Sequence, residues 1–255
     1  MGVPRFYHPE ALSVHHNIKL SESAARHAGL VLRLSVGDEL VLFNGDGFDY
    51  CANISEISRK IIAVKIASRI AVSSESVLKL HLAQAVSKPD KMDWVVQKAV
   101  ELGVSEITPV ITQYCPVKIT EKKVDHWQGI IISACEQSGR SVIPKLNKII
   151  VLEDFLDQNK VNDKTNNKIN NTVKNKINSG LIFHPNAPLK FSEISLDNPK
   201  EVILFIGPEG GFHEDEVKLA EKHGFLSVRL GSRILRTETA AVAAISVLQS
   251  RWGDF

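Results

Sequence analysis

Residue types able to do chemistry concentrate near the carboxyl end of the chain. The run Ile206-Gly207-Pro208-Glu209-Gly210-Gly211 sets three glycines around a proline and a glutamate. Glycine has no Cβ, so backbone amides and carbonyls here can approach a ligand closely. Glu209 is placed to accept from a hydroxyl or an amine. A second run, Leu230-Gly231-Ser232-Arg233-Ile234-Leu235-Arg236-Thr237-Glu238, carries two arginines ahead of a helix. Thr237 reads as its N-cap and Glu238 as an acidic residue in its first turn. Ile234 and Leu235 are expected to pack inward, which makes the arginines on either side more than solvated charge. A positive pair beside a glycine-lined cleft suits an anionic partner such as RNA phosphate. A third stretch, Phe183-His184-Pro185-Asn186, also follows an apolar run. Each feature has a plain alternative. The glycines serve a tight strand-to-helix turn, and Thr237 and Glu238 satisfy a helix end. The pattern is neither the G-x-G-x-x-G fingerprint nor a P-loop.

The elements that must position these groups begin at Val77, where strands and helices alternate. Leu78 to Val86 reads as a strand, Pro89 to Leu102 as a helix stopped by Gly103, Glu106 to Ile111 as a strand and Thr120 to Gly139 as a long helix. Leu181–Phe183 and Val202–Ile206 are continuous apolar runs of the kind buried on both faces of a parallel sheet. A helix over Glu214 to His223, a strand over Val228 to Leu230 and a last helix over Glu238 to Trp252 complete an α/β domain. In open α/β sheets, ligands bind beyond the carboxyl ends of the strands. All three singled-out segments fall there.

Residues 1–75 read differently. A helix over Ser21 to Leu34, with Ser21 as N-cap, precedes Glu39–Phe43, the turn Asn44-Gly45-Asp46-Gly47 and a run to Ile57. Asn-Gly between apolar runs predicts a hairpin. A third run covers Ile61 to Ile70, and the small, Ser-rich Ala71 to Ser76 reads as a linker. The expected division is therefore 1–75 and 76–255.

The chain's 255 residues carry a net charge of +2. Residues 159–178 alone contribute +4, from five Lys against one Asp, which leaves 26 basic and 28 acidic residues elsewhere. Overall basicity therefore argues nothing about nucleic acid, and the case must rest on local placement. The same segment holds eight Asn, so residues 159–179 are expected to be a disordered Asn/Lys-rich insertion. Cys51, Cys115 and Cys135 form no metal-type pair, and His27 and His184 lack ligand spacing, so no metal is expected. No apolar run reaches the roughly 18 residues of a membrane span. A reducing cytoplasm is the expected compartment.

Taken together, Gly207–Gly211 and Leu230–Ala240 resemble the carboxyl-terminal signature of the bacterial 16S rRNA (uracil-N3)-methyltransferases, the RsmE group of the SPOUT superfamily. Arg5-Phe6-Tyr7, His27 to Arg33, Lys88 to Gly103 and Glu136–Arg140 are similar as well. The resemblance implies a small PUA-like β-barrel for RNA, followed by a parallel sheet with a trefoil knot, an arrangement that general rules of chain connection exclude. It implies S-adenosylmethionine as methyl donor, contacted by Phe183, His184 and Pro185, by Ile206, Gly207, Glu209, Gly210 and Gly211, and by Leu230, Gly231, Ile234, Leu235 and Thr237. It also implies a homodimer, 16S rRNA of the small ribosomal subunit as partner, and N3-methyluridine in the decoding region as product.

The chemistry such a reaction needs can be stated physically. A sulfonium already makes its methyl group electrophilic, so alignment and loss of the N3 proton remain. A cation near the uracil carbonyls stabilises the developing anion, and Arg236 is the candidate. Glu238 is the candidate proton acceptor. Arg5, Arg26, Arg33 and Arg233 are candidate phosphate contacts. Three rivals stand beside this reading. A nucleotide-binding oxidoreductase would need an early glycine fingerprint, which is missing. A silent RNA-binding module is the second, and methyl transfer to a ribose 2′-hydroxyl or a different base is the third.

Overall fold

The structure is a computed structural model describing residues 2–58, 61–115, 121–160 and 179–255. The expected insertion therefore lies, over 161–178, outside the described residues. Two compact units emerge: Met1–Glu75 with Ile132–Ile143, and Ser76–Ile131 with Pro144–Phe255. The second unit expected from sequence, 76–255, thus gives up Ile132–Ile143. No change of composition marks that stretch, because it continues the helix begun at Glu121.

The first unit is built on β1 (Arg5–Tyr7), β2 (Asn17–Lys19), α1 (Glu22–Arg26), β3 (Glu39–Phe43), β4 (Phe48–Ile57) and β5 (Ile62–Ala71), with one π turn over His27–Val31. Its five-stranded sheet runs β1-β3-β4-β5-β2. Ser21 caps α1 by accepting from the Ala24 amide at 3.2 Å. The predicted hairpin is present: Asn44 and Asp46 carboxyl or amide oxygens accept from the Asp46 and Phe48 backbone amides at 3.2 and 3.1 Å, which closes the turn. Phe6, Leu40, Leu42, Tyr50, Ile54, Val64 and Ile66 form the core with Ala24, Ala25 and Ala28. The short β1 and β2 were not anticipated, since three residues cannot display a period.

The second unit contains β6 (Lys79–Ala85), α2 (Pro89–Glu101), β7 (Glu106–Ile111), α3 (Glu121–Ser138, assigned to this unit as far as Ile131), β8 (Lys145–Leu146), β9 (Ile150–Val151), α4 (Leu152–Gln158), β10 (Ser179–Phe183), β11 (Leu189–Lys190), β12 (Glu201–Ile206), α5 (Glu214–Lys222), β13 (Leu226–Arg229) and α6 (Thr237–Trp252). The sheet order is β11-β13-β10-β12-β6-β7-β8, with parallel pairing throughout and β9 beside β7. As the apolar runs predict, Leu181–Phe183 and Val202–Ile206 are buried. Helix α4, unforeseen, seats Phe155 against Phe205 and Phe225 on one sheet face. From β6 the chain moves outward to β7 and β8, then returns to the other side of β6 for β12 and β10. That reversal opens a crevice at the carboxyl ends of the strands.

Candidate active site

Three loops leave neighbouring strand ends, after β10, β12 and β13, and enclose one cavity of about 670 Å³. That lies within the roughly 300–1,000 Å³ typical of sites for cofactor-sized molecules. Its lining includes His184, Pro185, Gly207–Gly211, Leu230, Gly231, Arg233–Glu238, and the side chains Phe183, Ile206 and Phe212. The structure thus brings together the residues expected to contact a cofactor and the pair Arg236 and Glu238.

Local forces hold each loop. After β12 the Gly211 amide donates to the Pro208 carbonyl at 2.9 Å, making a tight turn. A Cβ on Gly210 would stand 2.9 Å from the Cβ of Tyr114, so only glycine fits beneath that residue. Glu216 braces the same region, since its buried carboxylate accepts from the Gln113 amide and the His213 amide, both at 2.8 Å. Glu209 accepts from the Lys88 backbone amide at 3.0 Å and so ties the loop to the start of α2. After β13, Gly231 has φ +117°, a conformation that strains any residue with a side chain. The loop after β10 is pinned by Arg229, which donates to the Pro188 carbonyl at 2.9 Å and also to that of Ala187.

Two expectations need correction. Thr237 is not the N-cap of α6. Arg236 occupies that position without a side-chain cap, and Thr237 is the first helical residue. Its buried hydroxyl instead donates to the Gly207 carbonyl at 2.6 Å and accepts from Gln84 Nε2 at 3.1 Å. One hydroxyl therefore joins α6, β6 and the glycine loop. Ile234 does not pack inward either; it is 84% exposed while still bordering the cavity, and Leu235 is half-buried. Alternation with charged residues does not decide burial in a loop without regular periodicity.

The electrostatics are mixed. Lys88, Lys91, Arg233 and Arg236 bring positive charge to the cavity, against Glu209 and Glu238. Lys91 Nζ stands 2.9 Å from Glu238 Oε1. Burial raises the Glu238 carboxyl, but the Lys91 hydrogen bond, a backbone amide and the nearby charge of Arg236 outweigh it and hold the group below its ordinary value. Burial pushes the His184 imidazole below its ordinary value, with Glu221 acting the other way, so the ring at the wall is neutral near pH 7. Lys91 and Gln84 escaped the sequence reading. Each sits inside an element whose periodicity explains it as helix surface or strand interior, and only the fold carries it to the site.

The arginines expected to meet phosphate divide. Arg233 borders the cavity and is exposed, and Arg26 and Arg33 are exposed on the first unit, Arg33 with φ +56°. Arg5 is engaged inside that unit: it pairs with Asp49, donates to Ser141 Oγ at 3.0 Å and lies over the Phe43 ring. Among the described residues no cluster of three or more His, Cys, Asp or Glu side chains could hold a metal ion, and no helix is long and apolar enough to cross a membrane.

Known proteins match the chain along its length. Residues 74–249 match the family described as RNA methyltransferase domain, and residues 20–67 the RNA methyltransferase PUA domain. Ribosomal RNA small subunit methyltransferase E of Buchnera aphidicola is 36% identical over 258 residues, covering 99% of this chain and 95% of that protein. The enzyme of that name from Neisseria gonorrhoeae, solved bound to S-adenosyl methionine, superposes with TM-score 0.86 at 38% identity, covering 100% of both chains. A Legionella pneumophila structure solved with SAM as bound cofactor gives TM-score 0.88 at 42% identity, again over 100% of each. With its cavity at the strand ends and this likeness from end to end, the chain belongs to the ribosomal RNA small subunit methyltransferase E family.

Proposed function

We propose that this protein transfers a methyl group from S-adenosylmethionine to N3 of a uridine in the decoding region of 16S rRNA. The observation that carries the reading is the convergence of three strand-end loops on one cavity whose rim holds Arg233, Arg236 and Lys91. The cavity fits the donor. Ile206 and Leu235 supply apolar wall for an adenine ring, while Glu209 and Lys88 supply charge of both signs for an amino-acid moiety. When bound, the donor supplies an electrophilic methyl group on a sulfonium. The protein's own groups do the rest. Gly207, held through Thr237, keeps the cavity wall in place. Arg236 stabilises negative charge on the uracil carbonyls as the N3 proton leaves, and Glu238 lies two residues further along, in the first turn of α6. The base must be unpaired or flipped out to expose N3.

Around this site, the reading assigns RNA contacts to residues 1–75 through Arg26 and Arg33, methyl transfer to residues 76–255, a knotted path for the loops that grip the donor, a homodimer, and work on the small subunit in the cytoplasm. Arg5, occupied by Asp49, carries no phosphate in this scheme. The deciding experiment is mass mapping of 16S rRNA from cells lacking the protein, before and after incubation with purified protein and donor. A methyl group regained at N3 of one uridine supports the reading. A methyl group on a ribose hydroxyl, or on another base atom, redirects it.

A further inference from the structure

The pairing of Lys91 with Glu238 at the cavity admits two roles for the carboxylate. It either takes the N3 proton or orients the ammonium. We propose the second: Lys91, positioned by Glu238, is the second cation that receives the negative charge of the substrate base, and Glu238 is its counter-ion rather than the proton acceptor. This rests on the reading of the site as a uracil-N3 methyltransferase.

Geometry carries the argument. Lys91 lies in the first turn of α2, which packs on α6, and its side chain is one-third exposed at 33% while that of Glu238 is only 12% exposed. Both residues line the cavity, and the ammonium is on the more exposed side chain of the pair. The 2.9 Å contact occupies a carboxylate oxygen with a proton donor, leaving that oxygen poorly placed to collect another proton. The carboxyl's shift below its ordinary value points the same way, since it makes the group a weaker base. The other charged or titratable groups of the cavity are Lys88 at the N-cap of α2, Glu209 after β12, His184 after β10, and Arg233 and Arg236 ahead of α6. Of these, Arg236 alone shares the start of α6 with Glu238. In the balanced step, the N3–H bond breaks and its proton passes to solvent. The freed electron pair of N3 bonds the methyl carbon, and the methyl–sulfur pair stays on sulfur, so anion and sulfonium become two neutral products.

The test uses the full-length protein, small ribosomal subunits from cells lacking it, and radiolabelled S-adenosylmethionine. Lys91→Met should lower kcat by about 10²–10³-fold, the loss typical of removing one preorganised charge-stabilising donor. Its rate should also rise with pH later than that of wild type, because the base anion is no longer favoured, while affinity for the donor measured by calorimetry stays within about twofold. Glu238→Gln keeps an oxygen that accepts from Lys91 and should lose less than about tenfold, whereas a lost general base costs about 10²–10⁴-fold. A Glu238→Gln loss larger than that of Lys91→Met, or Lys91→Met with the wild-type rate and pH profile, overturns the proposal. If Lys91→Met does not fold, Lys91→Gln against Lys91→Arg decides, and equal losses overturn it. A wild-type enzyme that places no methyl at N3 refutes the parent reading instead, which separates the two failures.

Discussion

Replacing Thr237 by valine tests whether one hydroxyl holds the cavity together. The side chain is 5% exposed, and its oxygen donates to the Gly207 carbonyl at 2.6 Å while accepting from Gln84 at 3.1 Å. Valine keeps the shape and removes both bonds. The Gln84 amide retains the Ala85 carbonyl at 3.0 Å, but the buried Gly207 carbonyl loses this partner. An unsatisfied buried acceptor costs about 1–3 kcal/mol, and we take about 2 kcal/mol. At about 2–4 °C per kcal/mol for a chain of this size, the melting midpoint should fall by about 4–8 °C. The Gly207 loop also forms the cavity wall. If about 1.4 kcal/mol of that anchoring is needed to hold the binding conformation, donor affinity falls about tenfold. Thermal unfolding and calorimetry with S-adenosylmethionine measure both, and Thr237→Ser, which keeps the hydroxyl, should recover most of each. A valine variant that melts with wild type and binds the donor equally would refute the anchoring argument.

Further outcomes are expected elsewhere. Burial keeps the His81 imidazole, at 2.7 Å from Thr108 Oγ1, below the ordinary value of 6.5 despite the nearby Glu106. The unfolded chain therefore takes up this proton first as pH falls, so stability present above about pH 6.5 should decline below it; a His81→Gln variant with the same acid-side slope in its melting midpoint would contradict this. Burial pushes the Cys135 thiol up to about 11, so peptide mapping after thiol labelling of native protein at pH 8 should find it unmodified, and modified once urea is added. Arg33 is exposed on the first unit, and Arg33→Ala should reduce the salt dependence of RNA binding by about one counter-ion, read as a shallower slope of log affinity on log salt.

Much of this protein was legible before any fold was known. The alternation of elements after Val77, the doubly buried runs at Leu181–Phe183 and Val202–Ile206, the Asn44–Gly47 hairpin and the Ser21 cap all follow from local periodicity and turn chemistry, which act over a few residues and leave their mark in order along the chain. The glycine segments were legible for the same reason, because close backbone approach restricts residue type position by position. Periodicity fails where an element is too short for its alternation to stand out, as in Arg5–Tyr7 and Asn17–Lys19. It fails also where a partner is distant in sequence. Nothing near Thr237 announces that its hydroxyl will meet Gly207 and Gln84, nor does anything near Lys91 announce Glu238. Composition and spacing determined which segments would form strand ends and which would bend around a ligand. Only the tertiary structure decided which side chains face one another across that cavity, because such pairings depend on sheet order and helix packing, and no short-range preference encodes them.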